Sequence, residues 1–271
     1  MIPTVSNRWR RLVVNHLARR QMQLPGPAAY VSFTFDDFPL TALTNGGRIL
    51  ESYGVRGTYF VSLGLLDRDS PSGPIASIAD LDRLLGDGHE LGCHTFSHLD
   101  GAAVTASQFE QSIEANRTGL AASGLDARFD VFAYPLDGPA LATKRVAGAR
   151  FLGCRGGGQD LNSGVIDLSL LKSYFLDARN RGRIDEVMSL LERNAAEKGW
   201  LIFSTHDVEA RPSRYGCESG YFNAVVKLAI QSGAQVLPMS HVCRELGIGN
   251  PPSAVVSRTL GNGSYAGRDD R

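Results

Sequence analysis

Tyr30-Val31-Ser32-Phe33-Thr34-Phe35-Asp36-Asp37 is a short β-prone run that ends in two adjacent carboxylates. The same arrangement returns along the chain. The run 89–93 leads into His94-Thr95-Phe96-Ser97-His98, the run 131–134 into Pro135-Leu136, and the run 200–204 into Thr205-His206-Asp207. Further strand candidates are 57–61, 151–154, 170–176 and 235–237, and 240–246 closes the pattern. Between the strands lie stretches of helical character at 41–53, 77–85, 105–122, 141–147, 184–198 and 221–232. Ser77-x-x-Asp80 and Thr105-x-x-Gln108 have capping-box spacing and mark two of the helix starts.

Strands separated by helices pair in parallel, through right-handed crossovers that bury both faces of the sheet. About seven such units predict an α/β fold with a closed or nearly closed β/α barrel in one domain. The C-terminal ends of parallel barrel strands share one face, where active sites are built. The aspartates, histidines and Pro135-Leu136 are therefore expected to meet in space.

Bulk properties narrow the classes. The chain has 271 residues, 43% of them apolar, sufficient for a large core. Lys+Arg and Asp+Glu balance at 28 each, so no overall field draws the protein to nucleic acid. Cys93, Cys154, Cys217 and Cys243 form no CxxC pair and read as buried thiols. No run is apolar for long enough to span a bilayer. The apolar run 12–14 is cut short by Asn15 and His16, unlike a secretory signal, which predicts a cytoplasmic location.

Residues 6–21 suit a basic amphipathic helix, with Trp9, Leu12, Val13 and Leu17 on one side and Arg8, Arg10, Arg11, Arg19 and Arg20 flanking them. Packing on the domain is the plain reading of that helix; peripheral contact with the inner membrane surface is the other. The expected division is a basic helical extension at 1–25, the main domain at 26–248, and a flexible tail rich in Gly, Ser, Pro and Arg at 249–271.

The chemistry of the strand ends is specific. Adjacent aspartates on an extended segment point in different directions, so one can hold a metal while the other faces the reacting centre. His94 and His98, four apart, would share one face of a helical turn and offer two imidazoles to one metal. Two histidines and a carboxylate leave open positions for water and substrate, as a catalytic zinc requires. His89 and His241 match no such pattern and read as structural, as does Trp200.

These segments, together with 200–206, resemble the first, second and fifth motifs of the NodB-type polysaccharide deacetylases (carbohydrate esterase family 4), over about 29–246. The resemblance implies a distorted, incomplete (β/α) barrel of about seven parallel strands. It also implies a metal-dependent hydrolase that removes acetyl groups from N-acetylglucosamine units of a polysaccharide or a lipid-linked oligosaccharide. Carried over by motif, Asp36 is the general base, and Asp37, His94 and His98 are ligands of Zn2+ or another divalent metal. His206 is the general acid, and the Leu136 backbone N–H is the oxyanion donor. Phe38, Phe96, Tyr134 and Pro135 are candidate sugar contacts.

The chain also departs from the family. Phe38 stands where a glycine usually follows the aspartates. Ala133 replaces an arginine that steadies the base. Arg155 is the candidate substitute, and a surface arginine ahead of Gly156-Gly157-Gly158 is the equal alternative. The fourth-motif aspartate, which tunes the acid, has three candidates in Asp160, Asp167 and Asp177. Ser204 replaces a leucine two before His206. The competing readings are an O-acetyl esterase or other amide hydrolase, and a catalytically silent glycan-binding protein.

Overall fold

The computed structural model describes residues 12–24, 28–136 and 138–249. Eight strands form one parallel sheet: β1 (Tyr30–Phe35), β2 (Thr58–Val61), β3 (Glu90–Cys93), β4 (Val131–Ala133), β5 (Gly153–Arg155), β6 (Tyr174–Phe175), β7 (Trp200–Thr205) and β8 (Gln235–Val236). Seven run in the order β6-β7-β1-β2-β3-β4-β5, and β8 pairs with the start of β1. Among the described residues β5 does not pair with β6; Arg155 forms one isolated parallel bridge to Leu171, three residues ahead of β6. The result is an open half-barrel, as the resemblance implied.

Period-two alternation explains how the sheet packs. On β1, Val31, Phe33 and Phe35 face the surrounding helices, and on β7, Leu201 and Phe203 do the same. Tyr30, Trp200 and Ile202 face the barrel interior instead, with Phe60, Val131, Ala133 and Met239. Each of these fully buried large side chains is worth about 2 kcal/mol. Gly92 lies on the inner side of β3, where a Cβ would come within 2.4 Å of the Phe60 ring. Only glycine lets that ring lie flat on the strand.

The helices fall where their periodicity placed them: Ile78–Gly86, Ala106–Ala122, Leu141–Gly148, Ile184–Glu197 and Ser219–Gln231. Both capping boxes form. The Asp80 N–H donates to Ser77 Oγ at 3.3 Å, and the Ser77 N–H to Asp80 Oδ2 at 2.9 Å. Gln108 and Thr105 repeat the exchange. Cys93, Cys154, Cys217 and Cys243 are all free and buried.

Several boundaries differ from expectation. The fifth strand begins and ends later than 151–154, which brings Arg155 into the sheet. Of the stretch 170–176, Tyr174–Phe175 forms the strand, and the preceding Val165–Asp167 pairs antiparallel with Gln21–Gln23. The stretch 240–246 belongs to the helix Met239–Glu245.

At the N-terminus the described helical segment ends at residue 16 and the chain turns into a strand by Gln21. Lys144, fully buried, ties that segment down. Its Nζ donates to the Leu17 carbonyl at 2.9 Å and to Asp167 Oδ2 at 2.7 Å. Arg20 Nη1 donates to the Gly148 carbonyl at 2.8 Å, so this arginine is committed to the domain rather than to a lipid surface. Residues 12–24 pack on the barrel through these contacts and the pairing of Gln21–Gln23 with Val165–Asp167. The rest of the basic stretch, with Trp9, Arg8, Arg10 and Arg11, and the tail from 250 lie outside the described residues. No described helix is long and apolar enough to cross a membrane.

Candidate active site

The inward-facing positions of the strands carry the polar groups onward past the C-terminal ends. Asp36 continues the inner series of β1, His94 that of β3, Arg155 that of β5 and His206 that of β7. Tyr134 has the opposite parity. It packs outward against Phe132 at 5.0 Å and donates its hydroxyl to the Ser169 carbonyl at 3.0 Å.

Immediately after the strands the backbone turns sharply. Asp37 and Phe38 have φ of 62° and 59°, Thr95 and His98 of 60° and 53°, and Leu136 of 56°. Left-handed conformations at non-glycine residues are uncommon and mark a constrained site. The pair Asp36-Asp37 therefore lies in a turn, not on an extended segment. The span from His94 to His98 is a loop, not a helical turn. It is the two left-handed residues, not helical spacing, that bring the imidazoles together, with ring centres 5.0 Å apart.

Asp37, His94 and His98 each offer an atom, and these atoms lie within 4.8 Å of one another. His98 Nε2 is 3.2 Å from Asp37 Oδ1, and His94 Nε2 is 3.6 Å from the same oxygen. His94 Nδ1 is 2.8 Å from the Ala133 carbonyl, an acceptor only, so Nδ1 carries the proton and Nε2 presents a bare lone pair. Burial, and then the neighbouring His98, hold the His94 imidazole down to a pKa of about 4, so it is neutral at pH 7. Asp37 Oδ1 is buried without a hydrogen-bond donor among the described residues. Lone pairs facing one another in this way are reconciled by a cation, and the donor set suits zinc or a related divalent ion.

Asp36 sits beside this cluster with both oxygens engaged. Arg155, itself 1% exposed, pairs with Oδ1, and Ser204 donates its hydroxyl to Oδ2 at 3.2 Å. Burial pushes the Asp36 carboxyl up, but Arg155, His94 and His206 together outweigh it and hold the pKa down to about 2. Arg155 reaches Asp36 from the position directly across from Ala133, since Ala133 and Arg155 are paired in register on β4 and β5. Arg155 thus lies one strand to the side of Ala133, at the same level. Its Cζ lies 5.1 Å from the Phe60 ring centre, which supports the guanidinium on the inner side.

His206 directs Nε2 at Asp37 Oδ2, 3.8 Å away, while its Nδ1 is buried with no partner among the described residues. None of the three candidate aspartates reaches that nitrogen. Asp160 pairs with Lys172 and Arg193, Asp167 with Lys144, and Asp177 with Arg179.

The proposed sugar contacts are placed unevenly. Phe38 is fully buried and packs at a tilt against Tyr59, ring centres 5.0 Å apart, so it is core rather than a sugar platform. Tyr134 is core for the reason of parity given above, and Pro135 is buried beside it. Phe96 is half-buried with its ring wedged between Gly64 and Gly119. The Leu136 side chain is exposed at the mouth. Two aromatics that the motifs do not mark border the site instead: Phe175, half-buried 5.9 Å from the Arg155 guanidinium, and Tyr215, 5.4 Å from the His206 ring. Parity from His206 would have identified Ser204 as an Asp36 partner; nothing in the sequence pattern marks Tyr215.

The sequence model of the family described as Polysaccharide deacetylase matches residues 23–154. A curated relative, the bifunctional xylanase/deacetylase of Pseudobutyrivibrio xylanivorans, is 30% identical over 100 residues, covering 36% of this chain and 15% of that protein. The chain thus matches only a small part of that relative's length. A solved family 4 acetyl xylan esterase from Clostridium thermocellum, in complex with a cobalt ion, is similar with TM-score 0.57 and 17% identity over 82% of this chain and 94% of that one. The chitin deacetylase of the fungal pathogen Colletotrichum lindemuthianum gives TM-score 0.57 and 17% identity over 86% and 92%. At these identities the structural likeness speaks for the fold.

Proposed function

Because residues 23–154 belong to the polysaccharide deacetylase family, we propose that this chain is a metal-dependent hydrolase that removes acetyl groups from N-acetylglucosamine units of a glycan. The observation that carries the reading is the bare Nε2 of His94 facing the undonated Oδ1 of Asp37, next to a carboxylate held ionised by Arg155. Asp37, His94 and His98 would hold the ion, which when bound supplies Lewis-acid polarisation and acidifies water.

The chain's own groups then have complementary tasks. Asp36 is ionised at any pH above about 2 and accepts the proton of the attacking water. A low pKa weakens it as a base, but before the reaction it is always unprotonated, and Arg155 and Ser204 fix its orientation. The Leu136 N–H, at the mouth on a left-handed residue, is the candidate donor to the developing oxyanion. His206, protonated on Nε2, gives its proton to the departing nitrogen. Acetate release from N-acetylglucosamine oligomers and from O-acetylated xylo-oligosaccharides, by wild type and Asp36→Asn, tests the proposal. Release that Asp36→Asn abolishes is expected; release from neither substrate would remove it.

One observation favours a second reading, O-deacetylation. Among the described residues the Nδ1 of His206 has no carboxylate partner, so no acceptor on that side orients the ring for proton delivery to an amine. An alkoxide leaves with less help. Faster release from the O-acetylated substrate would select the ester reading.

A further inference from the structure

Two loops form one side of the mouth, residues 176–183 after β6 and 207–216 after β7. They are joined to each other, since the Ala178 N–H donates to the Arg214 carbonyl at 3.2 Å. The second is also pinned from below by the buried Asp207 carboxylate, which accepts from the Ser213 N–H and hydroxyl, both at 2.6 Å. The rim is therefore a built surface, not a loose one.

Each loop lays an arginine on an aromatic ring that borders the catalytic groups. Arg179 Cζ is 4.4 Å from the centre of the Phe175 ring, and the same ring is 5.9 Å from Arg155, the partner of Asp36. Arg214 Cζ is 4.9 Å from the Tyr215 ring, which is 5.4 Å from His206. Arg181 is exposed on the first loop. Arg179 is paired with Asp177, whereas Arg181 and Arg214 have no carboxylate within 4.0 Å among the described residues. In a chain with no net charge overall, this leaves a local positive excess beside the site. A guanidinium resting on a ring keeps its edge N–H groups free and pre-oriented, in the fork that matches a carboxylate or a phosphate.

We propose that this rim is a subsite for an anionic substituent, a uronate carboxylate or a phosphate, on a sugar adjoining the acetylated residue. The inference rests on the deacetylase reading and sharpens its substrate class to acidic glycans. Arg214 and Arg181 contact the anion; Phe175 and Tyr215 hold the rim in register with Asp36 and His206.

The test compares kcat/KM for acetate release on three N-acetylglucosamine oligosaccharides: a neutral tetramer, a tetrasaccharide alternating with glucuronate, and the tetramer carrying a phosphate ester. Neutral and glucuronate-bearing acetylated xylo-oligosaccharides cover the ester case. Wild type is expected to favour an anionic substrate about three- to tenfold at low salt, as two partly exposed charge contacts allow. The double variant Arg181→Gln, Arg214→Gln should lose that preference and keep its rate on the neutral substrate. Salt near 0.5 M should also erase the preference, by screening. Whether uronate or phosphate gives the larger ratio identifies the source of the anion. Equal rates on neutral and anionic substrates, or a preference intact in the double variant, would overturn the proposal. Should no substrate release acetate, the hydrolytic reading falls, and the rim is judged by calorimetric titration of the same oligosaccharides. Tighter binding of the anionic ones supports it and equal binding overturns it.

Discussion

Replacing Arg155 by methionine removes the buried cation while keeping most of its volume. In the native protein Asp36 drops from an ordinary 3.8 to about 2, a net stabilisation of the charged form worth about 2 kcal/mol. That contribution is fully present above the unfolded value near 3.8 and is lost as pH falls through about 2. In the variant the burial of Asp36 is no longer opposed by the guanidinium, and its pKa rises above the unfolded value. The sign then reverses. The charged carboxylate destabilises the fold at neutral pH, and acidification relieves the strain. Breaking a buried pair from one side costs about 3–5 kcal/mol, so urea denaturation at pH 7 should show a loss in that range. The gap between variant and wild type should narrow as pH is lowered toward 4. Adding Asp36→Asn to the Arg155→Met variant should recover most of the loss. Zinc affinity should be unchanged, since the Asp37 cluster is untouched, while acetate release falls sharply. An Arg155→Met protein as stable as wild type at pH 7, with the same pH profile, would refute the idea that this ion pair balances the site.

Further outcomes follow from other residues. The metal-stripped protein should lose about 3 kcal/mol of stability between pH 6.5 and 4, because His94 has a folded pKa held down to about 4 and must stay neutral as the unfolded imidazole gains a proton. A flat stability profile across that window in a chelator would contradict its buried neutral state, and His94→Ala should remove most of the slope. Asn at His206 should reduce N-acetyl hydrolysis by about 10²–10⁴-fold and ester hydrolysis much less, as measured by initial rates on the two substrate types. Phe38→Gly relieves a left-handed residue by about 1 kcal/mol but empties a fully buried pocket at a cost of about 3–5 kcal/mol. A net destabilisation of about 3 kcal/mol is expected in thermal or urea unfolding, and a more stable variant would show that the strain, not the packing, dominates.

The strand ends were legible because chemistry interrupts an apolar run there. Asp36, His94 and His206 stand out in sequence for that reason, and the alternating strands and helices gave the barrel. Phe38 follows two reactive residues, yet its own side chain turns into the core. Tyr134 lies next to the motif along the chain, yet strand parity sends it to the outer face. His94 and His98 have helical spacing, yet Thr95 and His98 adopt left-handed conformations that no periodicity reveals. The position of Arg155 opposite Ala133 depends on the register of β4 and β5, a relation between strands that a single sequence leaves open. Tyr215 approaches His206 through a loop shaped by Asp207 and Ser213, local hydrogen bonding with no apolar pattern behind it.

The most direct measurement is the rate of acetate release from an acetylated oligosaccharide by chelator-stripped protein, as zinc is added in fractions of an equivalent. The site of Asp37, His94 and His98 predicts a rate that rises from background and breaks at about one equivalent per chain, with Asp36→Asn binding the same equivalent and staying inactive. Activity that persists without metal, or a zinc-loaded Asp36→Asn protein that turns over like wild type, would contradict it.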